Sequence, residues 1–281
     1  MTRGHDEPPL LVVVGVDLLG AEVARLVLGH GDDPAALLAG HGWEVRRAQD
    51  VMSQTVGTHV LTMTFVVEPS SGVEPHAVSQ LVRQVRTRRD PDLVTSRVEV
   101  PELHQRVAAY AVVTSPRGVL MTQFSGRTNA EGRWGLPGGG IEDGEAPELA
   151  VVREAWEESG QVIEVSDLAL IQTSHWIGRA PTGQLEDFHA VRVVYRAACP
   201  EPTEPVVHDV GGTTASAAWV PLTDLDRLDV TSSWRSLLRD VARLGESGGT
   251  GSGVVMAPHE ADGPNHHEHE TDGDDRARPK P

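Results

Sequence analysis

The stretch Gly139–Gly140–Ile141–Glu142–Asp143–Gly144–Glu145, continued by Arg153–Glu154–Ala155–Trp156–Glu157–Glu158–Ser159–Gly160, decides the fold of the region around it. A glycine-rich loop leads here into a short helix whose far end is heavily acidic. Pro147 suits the first helical turn, where a missing N–H costs nothing, and Gly160 suits the left-handed position after the last turn. Apolar residues recur at helical spacing and predict the buried face of this helix, namely Leu149, Val152, Ala155 and Trp156.

Three glutamates of this helix, Glu154, Glu157 and Glu158, lie three or four residues apart and therefore share one face. Like charges at this spacing destabilise a helix, and the helix dipole disfavours negative charge at the C-terminus. A hard divalent cation such as Mg²⁺, which prefers oxygen ligands, would remove both penalties. A solvated acidic face is the alternative, but the glycine-rich loop and the embedded Arg153 favour a metal site.

The spacing of these residues is similar to a known motif. Gly139, five residues, Glu145, seven residues and then Arg-Glu-Ala-x-Glu-Glu-x-Gly resemble the Nudix box, G-x5-E-x7-R-E-U-x-E-E-x-G-U. Every charged and glycine position of the box is filled within residues 139–161, and the last apolar position is Gln161 instead. The resemblance covers residues 104–245 and implies an α/β/α sandwich with a mixed sheet.

The resemblance also implies roles for the box residues. Glu154 and Glu158 are expected to bind the metal directly, with Glu157 sharing the site and the Gly139 carbonyl adding an oxygen. Arg153 is expected to orient the carboxylates through charge-assisted hydrogen bonds. The implied cofactor is Mg²⁺, with Mn²⁺ as an alternative.

The general base and the substrate contacts lie partly outside the motif. Nudix enzymes take the base from the box, here Glu157, or from a later loop, where Glu186 is the candidate and Asp187 its rival. Arg127, Trp134 and Trp176, together with Phe124 and His175, are candidates for lining the substrate cleft. The alternative for each aromatic residue is a place in the core.

Composition excludes several classes of protein. The net charge of −17 argues against binding a nucleic-acid polymer or an anionic membrane surface. The single cysteine, Cys199, excludes a disulfide framework. Because no stretch approaches the ~20 apolar residues of a membrane span and no signal-type apolar segment follows a basic N-terminus, we expect a cytoplasmic protein. Whether it forms a homodimer stays open.

A separate small α/β domain is predicted for residues 1–100. Leu10–Val16 is predicted as a strand followed by an ordinary strand-to-helix turn, and Asp33–Pro34 as a helix start. Residues 42–48 and 58–67 are predicted as strands, residues 75–89 as a helix and residues 93–100 as a closing strand. This order makes a ferredoxin-like arrangement one candidate.

Residues 246–281 are rich in Gly, Ser, Pro, His and acidic residues and are predicted to be a disordered tail. Its histidines could bind a transition metal, although a solvating tail is the simpler interpretation.

The sequence therefore predicts a metal-dependent Nudix-type hydrolase that splits a nucleoside diphosphate linked to another moiety, a small-molecule substrate. ADP-ribose, a dinucleotide polyphosphate and an oxidised dNTP all stay open. A non-catalytic Nudix-like nucleotide sensor is the alternative, against which the intact box carboxylates argue. An isomerase of allylic diphosphates is disfavoured, because its catalytic cysteine would precede the box and Cys199 follows it.

Overall fold

The structure is a computed structural model, and it describes residues 8–70, 87–90, 93–96, 99–128, 130–180, 182–231, 234–235 and 237–239. The predicted tail, and all but the last residues of the helix predicted for 75–89, lie outside these ranges. None of the helices within them combines the length and hydropathy needed to cross a membrane.

Residues 8–70, called the N-terminal module below, form a four-stranded sheet and one short helix. The elements are β1 Leu10–Val16, β2 Glu22–Val27, α1 Pro34–Ala39, β3 Trp43–Val56 and β4 Thr58–Pro69. The strand order is β2-β1-β4-β3, in which β1 and β4 are parallel and the outer pairs are antiparallel. The predicted strands and the helix start at Asp33 are confirmed, because the Asp33 carboxylate caps α1 by accepting from the Ala36 N–H at 2.9 Å.

The turn after β1 leads into a second strand, so the predicted strand-to-helix turn is wrong. Oδ1 of Asp17 accepts the backbone N–H groups of Leu19 and Ala21 at 2.9 and 2.8 Å, and Gly20 has a φ of 86°. This side chain-to-backbone turn reverses the chain and pairs β2 with β1. Two hairpins joined by α1 differ from a ferredoxin-like arrangement, in which a helix follows the first strand.

Residues 87–100 also differ from the prediction. Arg88–Arg89 form a short strand, β5, which pairs in parallel with residues 176–177 of the second sheet. The described residues among 93–100 form no strand. Pairing with a distant strand overrides the helical pattern here, a contact that local sequence does not encode.

The second sheet is mixed and is built mainly after residue 101. Its strands are β6 Glu102–Ser115, β7 Gly118–Phe124, β8 Trp134–Gly135, β9 Gly138–Gly140, β10 Glu164–Arg179, β11 Leu185–Ala198 and β12 Thr214–Val220. The strand order is β12-β7-β6-β11-β10-β5, with β8 on β7 and β9 on β6. The helix α2 spans Pro147–Ser159, and a 3-10 helix spans Leu222–Arg227.

Both faces of this sheet are covered, which confirms the predicted α/β/α sandwich. On one face, β6 residues such as Val107 and Ala109 belong to the same buried cluster as Ala150 and Val151 of α2. On the other face, Tyr110 of β6 packs in a cluster that includes the following residues of the C-terminal segment: Leu225, Trp234, Leu237 and Leu238. The first cluster continues into the N-terminal module, so the two sheets share one apolar core.

Candidate active site

The helix that carries the acidic face begins and ends as predicted. Pro147 occupies its first turn. Gly160 adopts the left-handed conformation with a φ of 67°, and its N–H bonds to the Trp156 carbonyl at 2.7 Å. Gln161, where the Nudix pattern has an apolar residue, is buried, and its amide bonds to Ser159 and Thr203. The departure from the pattern is therefore satisfied by hydrogen bonds.

The predicted buried face of α2 is partly wrong. Ala150, Val151 and Ala155 are fully buried, whereas Leu149 is 64% exposed and Trp156 is 50% exposed. Small side chains let the helix lie close to the sheet, and this rotates the two larger residues outward. Trp156 instead stacks on the His208 ring, with centroids 4.3 Å apart.

Arg153 lies at the centre of the acidic face and bonds to three of its carboxylates. Its guanidinium donates to Glu145 through Nε and Nη2, both at 3.0 Å. Nη1 donates to Glu154 at 2.9 Å and to Glu157 at 3.2 Å, and Nη2 also reaches the Gly140 carbonyl at 3.0 Å. The predicted orienting role of Arg153 agrees with this geometry.

Glu158 and Glu154 approach the glycine-rich strand β9. Glu158 is only 5% exposed, and it accepts the Gly138 N–H at 2.9 Å and the Thr214 hydroxyl at 2.5 Å. A Cβ added to Gly139 would lie 2.5 Å from Oε1 of Glu154. Glycine at position 139 therefore leaves room for the Glu154 carboxylate against the backbone.

We call Glu145, Arg153, Glu154, Glu157 and Glu158 the box cluster. The hydrogen bonds that Arg153 donates to Glu145 outweigh burial and raise the pKa of Arg153, so the guanidinium stays charged. Burial alone would raise the pKa of Glu145, but the bonds from Arg153 and from the Glu142 backbone hold it below its usual value. The cluster thus sets four carboxylates against one permanent cation.

This donor set fits a hard divalent cation. All available ligands are oxygens, as Mg²⁺ prefers, and the excess of carboxylates over the single arginine leaves uncompensated negative charge. Glu157 has the most accessible of the helix carboxylates, with a side chain 38% exposed against 16% for Glu154. Glu154, Glu157 and Glu158 are the side chains that would hold the ion, and the Gly139 carbonyl stays a predicted further ligand.

Sequence reasoning missed a groove on the face of the second sheet opposite α2, where it passes Gly140 of β9. Its lining comes from alternate residues of β6 and β11 with one neighbour: Arg106, Ala108, Tyr110, Phe188, Ala190, Val191 and Arg192. The Arg106 guanidinium lies beside Gly140, 3.4 Å from where a Cβ would stand. Arg192 is buried, bonds to Ser174 at 3.0 Å and lies 5.9 Å from the Trp234 ring centre. The sequence does contain a sign of this groove, because an arginine and an alanine stand two residues apart on each strand: Arg106 and Ala108 on β6, and Ala190 and Arg192 on β11.

Residues 104–241 match the family model described as the NUDIX domain. The chain contains a Nudix domain.

Several relatives resemble this chain over part of its length. It is 32% identical over 113 residues to putative nudix hydrolase 1 of Caenorhabditis elegans, covering 38% of this chain and 30% of that protein. It is 36% identical over 67 residues to the 8-oxo-dGTP diphosphatase of Proteus vulgaris, covering 24% of this chain and 58% of that protein. The match to the RNA pyrophosphohydrolase of Roseobacter denitrificans is 39% over 51 residues, covering 18% of this chain and 31% of that protein. The chain therefore spans between 30% and 58% of these relatives' own lengths.

Among solved structures, the MutT Nudix hydrolase from Burkholderia pseudomallei is 29% identical, with a TM-score of 0.38. That match covers 49% of this chain and 98% of the other. A Caenorhabditis elegans Ap4A hydrolase in a binary complex is 19% identical, with a TM-score of 0.38 and coverage of 50% and 98%.

The three residues predicted to bind substrate occupy different places in the Nudix domain. Trp176 is buried and packs against Phe188 of the groove, with ring centroids 5.8 Å apart. Trp134 is half-buried on β8 against the Tyr110 cluster. Arg127 is exposed in the loop after β7, beside Gly211. Trp176 therefore supports the groove from the core, and Arg127 is the one with a free approach to solvent.

Glu186, the candidate for a base outside the box, is not brought to the box cluster. It lies opposite Glu102, whereas Arg192 lies opposite Ala108, which is the partner of Gly140. Positions 186 and 192 are about 20 Å apart along a strand. Burial raises the pKa of Glu186, an effect that nearby His104 partly offsets.

Asp187, its rival, faces a set of histidines instead. Its carboxylate lies 2.8 Å from His30 of the N-terminal module and 2.5 Å from His175 of β10. Burial alone would raise the pKa of Asp187, but these bonds hold it below its usual value. Burial, followed by the charges of the same two histidines, lowers the pKa of His189 to about 4. His175, predicted to line the cleft, belongs to this set.

Proposed function

We propose that this protein is a metal-dependent hydrolase that splits a nucleoside diphosphate linked to another moiety. The observation that carries the proposal is the box cluster, in which Glu145, Glu154 and Glu157 converge on Arg153 while Glu158 bonds to Gly138 of β9. The Nudix domain and relatives named as hydrolases support the same reaction class.

The fixed geometry of the cluster supports a division of labour among its carboxylates. Glu158 is held by two hydrogen bonds from β9 and β12, so it cannot turn toward solvent without breaking both. Glu154 is held between Arg153 and Gly139. These two carboxylates would hold Mg²⁺ or Mn²⁺. Such an ion would supply positive charge against phosphate oxygens and make water easier to deprotonate.

Glu157 is the residue we assign to proton transfer. It is bonded by Arg153 from one side only, at 3.2 Å, and it is the most exposed carboxylate of the three. A carboxylate in this position can accept a proton from an attacking water and still be oriented by Arg153. Arg153 is a positioning residue, since all its bonds go to protein oxygens.

The groove supplies the substrate contacts in this proposal. Arg106 stands beside Gly140, whose carbonyl accepts a bond from Arg153 of the box cluster, and we assign it to binding the phosphate oxygens of a substrate that extends past β9. Planar guanidinium groups bind phosphate oxygens in a bidentate manner. Tyr110, opposite Gly138, and Phe188, on the other side of Arg106, are the aromatic residues of the lining, and although both are largely buried we assign them to contact with a nucleoside base. Arg127, Trp134 and Trp176 stay candidates for outer contacts.

The experiment is a panel assay with the full-length protein. ADP-ribose, a dinucleotide polyphosphate, an oxidised dNTP and a 5′-triphosphorylated RNA oligonucleotide are each incubated with Mg²⁺, Mn²⁺ or EDTA, and the products are separated by chromatography. We expect metal-dependent cleavage at a diphosphate bond in at least one substrate and its loss in Glu157→Gln. Tight nucleotide binding without turnover, unchanged in Glu157→Gln, would instead identify a nucleotide sensor.

A further inference from the structure

The interface between the N-terminal module and the Nudix domain gathers three potential metal ligands from distant parts of the chain. Nε2 of His30 and Nε2 of His175 both face Oδ1 of Asp187, at 2.8 and 2.5 Å. The ligand atoms of these residues all lie within 4.8 Å of one another. We call His30, His175 and Asp187 the histidine cluster. It lies outside the box cluster and plays no part in the hydrolysis described above.

We propose that the histidine cluster binds a late first-row divalent metal ion, best represented by Zn²⁺, which fastens the N-terminal module to the Nudix domain. Two imidazole nitrogens and one carboxylate oxygen form a ligand set that suits zinc, with water in the fourth position. The box cluster, in contrast, offers only oxygen. The two sites would therefore select different ions.

The spacing of the atoms permits such an ion. Tetrahedral zinc with bonds of about 2.0–2.1 Å requires ligand atoms roughly 3.3 Å apart. The observed separations from Asp187 are 2.5 and 2.8 Å, and every separation is below 4.8 Å. Moving the carboxylate oxygen by less than about 1 Å would open the site, a shift within the rotation of one side chain.

The protonation of the cluster also favours a cation. Lone pairs on two Nε2 atoms and on Oδ1 repel one another unless a positive charge lies between them. In the metal-free protein, a proton on each Nε2 would supply this charge by forming the two contacts to Oδ1 of Asp187. A metal ion would take the place of these protons, and metal binding would release them.

Neighbouring residues hold the side chains of the histidine cluster in place, as the residues that bond to metal ligands do in known metal sites. Nδ1 of His175 bonds to the Thr87 hydroxyl at 2.9 Å, and a hydroxyl accepts as well as it donates. The Thr87 hydroxyl can therefore keep its bond to Nδ1 of His175 whether Nε2 carries a proton or a metal ion. In known metal sites the second ring nitrogen of a histidine ligand is held by a hydrogen bond in the same way. Gly31 lies flat against the His175 ring, where an added Cβ would come within 2.9 Å.

The loop that presents His30 is also fixed from both sides. The Gly29 N–H donates to the Asp32 carboxylate at 2.9 Å, and the Thr173 hydroxyl of β10 donates to Asp33 at 2.6 Å. The side chains of His30, His175 and Asp187 are 21%, 10% and 19% exposed. The site is thus pre-formed and partly shielded, yet open enough for an ion to enter.

The test measures metal binding, so its outcome is independent of hydrolase activity. Full-length protein is stripped with a chelator and titrated with Co²⁺, whose visible absorption reports tetrahedral coordination, and Zn²⁺ is then added in competition. His30→Gln and Asp187→Asn are compared with His41→Gln, which changes a histidine of the same module that bonds to the Leu37 carbonyl. Glu157→Gln serves as the control for the box cluster.

We expect the tetrahedral cobalt band in the wild-type chain, in His41→Gln and in Glu157→Gln, and its loss in His30→Gln and Asp187→Asn. The wild-type chain and His41→Gln should also bind one more equivalent than His30→Gln and Asp187→Asn. Zn²⁺ should raise the melting temperature of the first group only. Tail histidines are present in every variant, so their binding cancels in the comparison. Equal stoichiometry and spectra in all five proteins would overturn the proposal. So would the absence of any tetrahedral cobalt band in the wild-type chain, even if a variant fails to fold.

Discussion

The box cluster and the histidine cluster both bring electron-rich nitrogen or oxygen atoms close together. They differ in the positive charge that offsets the repulsion between these atoms. In the box cluster, the guanidinium of Arg153 bonds to three of the four carboxylates and stays charged. In the histidine cluster, the described residues supply Asp187 with two titratable imidazoles and no arginine or lysine. The first arrangement carries its own cation, whereas the second depends on protons or a metal ion.

The two clusters differ as well in how the chain assembles them. The box cluster comes from one helix and the loop before it, so its geometry is set by helical spacing. The histidine cluster joins a loop of the N-terminal module to two strands of the Nudix domain. It exists only when the two sheets are packed together. A local cluster can thus hold its shape through changes elsewhere, while a non-local one reports on the packing of the modules.

The largest effect is expected from Glu157→Gln, which leaves the size of the side chain unchanged but removes its charge and basicity. Loss of a general base costs roughly 10²–10⁴-fold in rate, so kcat should fall by that factor. The metal-free protein should keep its melting temperature or gain slightly, because like-charge repulsion on α2 is reduced. Steady-state kinetics and thermal unfolding measure the two effects.

The matched control for this variant is Glu142→Gln, which changes a box-loop acid whose side chain is 73% exposed. Its rate should stay within a few fold of the wild-type value. Equal losses in both variants would mean that overall negative charge, rather than the position of Glu157, governs the reaction.

The second prediction concerns the substitution Arg153→Gln. It removes the cation of the box cluster, which is then left, like the histidine cluster, without an arginine to offset its negative charge. In Arg153→Gln, three of the four carboxylates lose their common partner, and we expect a loss of about 1–3 kcal/mol in the free energy of unfolding without metal. Mg²⁺ should then raise the melting temperature more in the variant than in the wild type, because it replaces part of the missing charge. Denaturant titrations with and without Mg²⁺ give both values.

Arg117→Gln is the control for charge removal at the surface, since Arg117 pairs with Glu204, whose side chain is 84% exposed. An exposed pair contributes about 0–1 kcal/mol. If Mg²⁺ stabilises Arg153→Gln no more than Arg117→Gln, the view that Arg153 stands in for an ion within the box cluster is wrong.

These contrasts explain which parts of the site could be predicted from sequence. The acidic face and the proline and glycine at the ends of α2 follow from spacing within one segment. The orienting role of Arg153 was implied by the resemblance to the Nudix box and stays a prediction. Arg106 and Arg192 were missed because strand pairing brings them together in the groove beside Gly140, and pairing partners are not encoded locally. His30 was missed for the same reason.

The fold shows the same division between local and distant information. Strands with strong apolar patterns, such as β1 and β4, and the cap of α1 at Asp33 were predicted correctly. The errors fall where a contact outside the segment decides, as in β5, whose two residues pair with β10. Trp156 is a further case, because its ring is exposed on the helix and covered by His208 from a later loop.

The third prediction concerns the groove. Arg106→Gln removes the cation beside Gly140 without changing the box cluster. A hydrogen bond to a charged group contributes about 1.5–3 kcal/mol, so KM should rise by about 10-fold or more while kcat changes less. A fall in kcat at unchanged KM would assign Arg106 to the reaction itself rather than to substrate binding.

The smallest effect is expected at the contact between the two modules. Thr173→Val keeps the shape of the side chain and removes the 2.6 Å bond to Asp33, which should cost about 1 kcal/mol of unfolding free energy. Asp33→Ala removes that bond and the cap of α1 together, and an N-cap contributes about 1 kcal/mol more.

Neither variant touches the box cluster, so hydrolysis should continue at the wild-type rate while thermal unfolding shifts downward. Because Asp33 follows the loop that presents His30, both variants should also weaken zinc binding at the histidine cluster, and Asp33→Ala should weaken it more. Asp33→Asn provides the control, since asparagine caps a helix as well as aspartate does. A change in hydrolysis rate that follows the loss of zinc binding across these three variants would mean that the N-terminal module is coupled to the active site. An unchanged rate means that the module is fastened to the Nudix domain without controlling it.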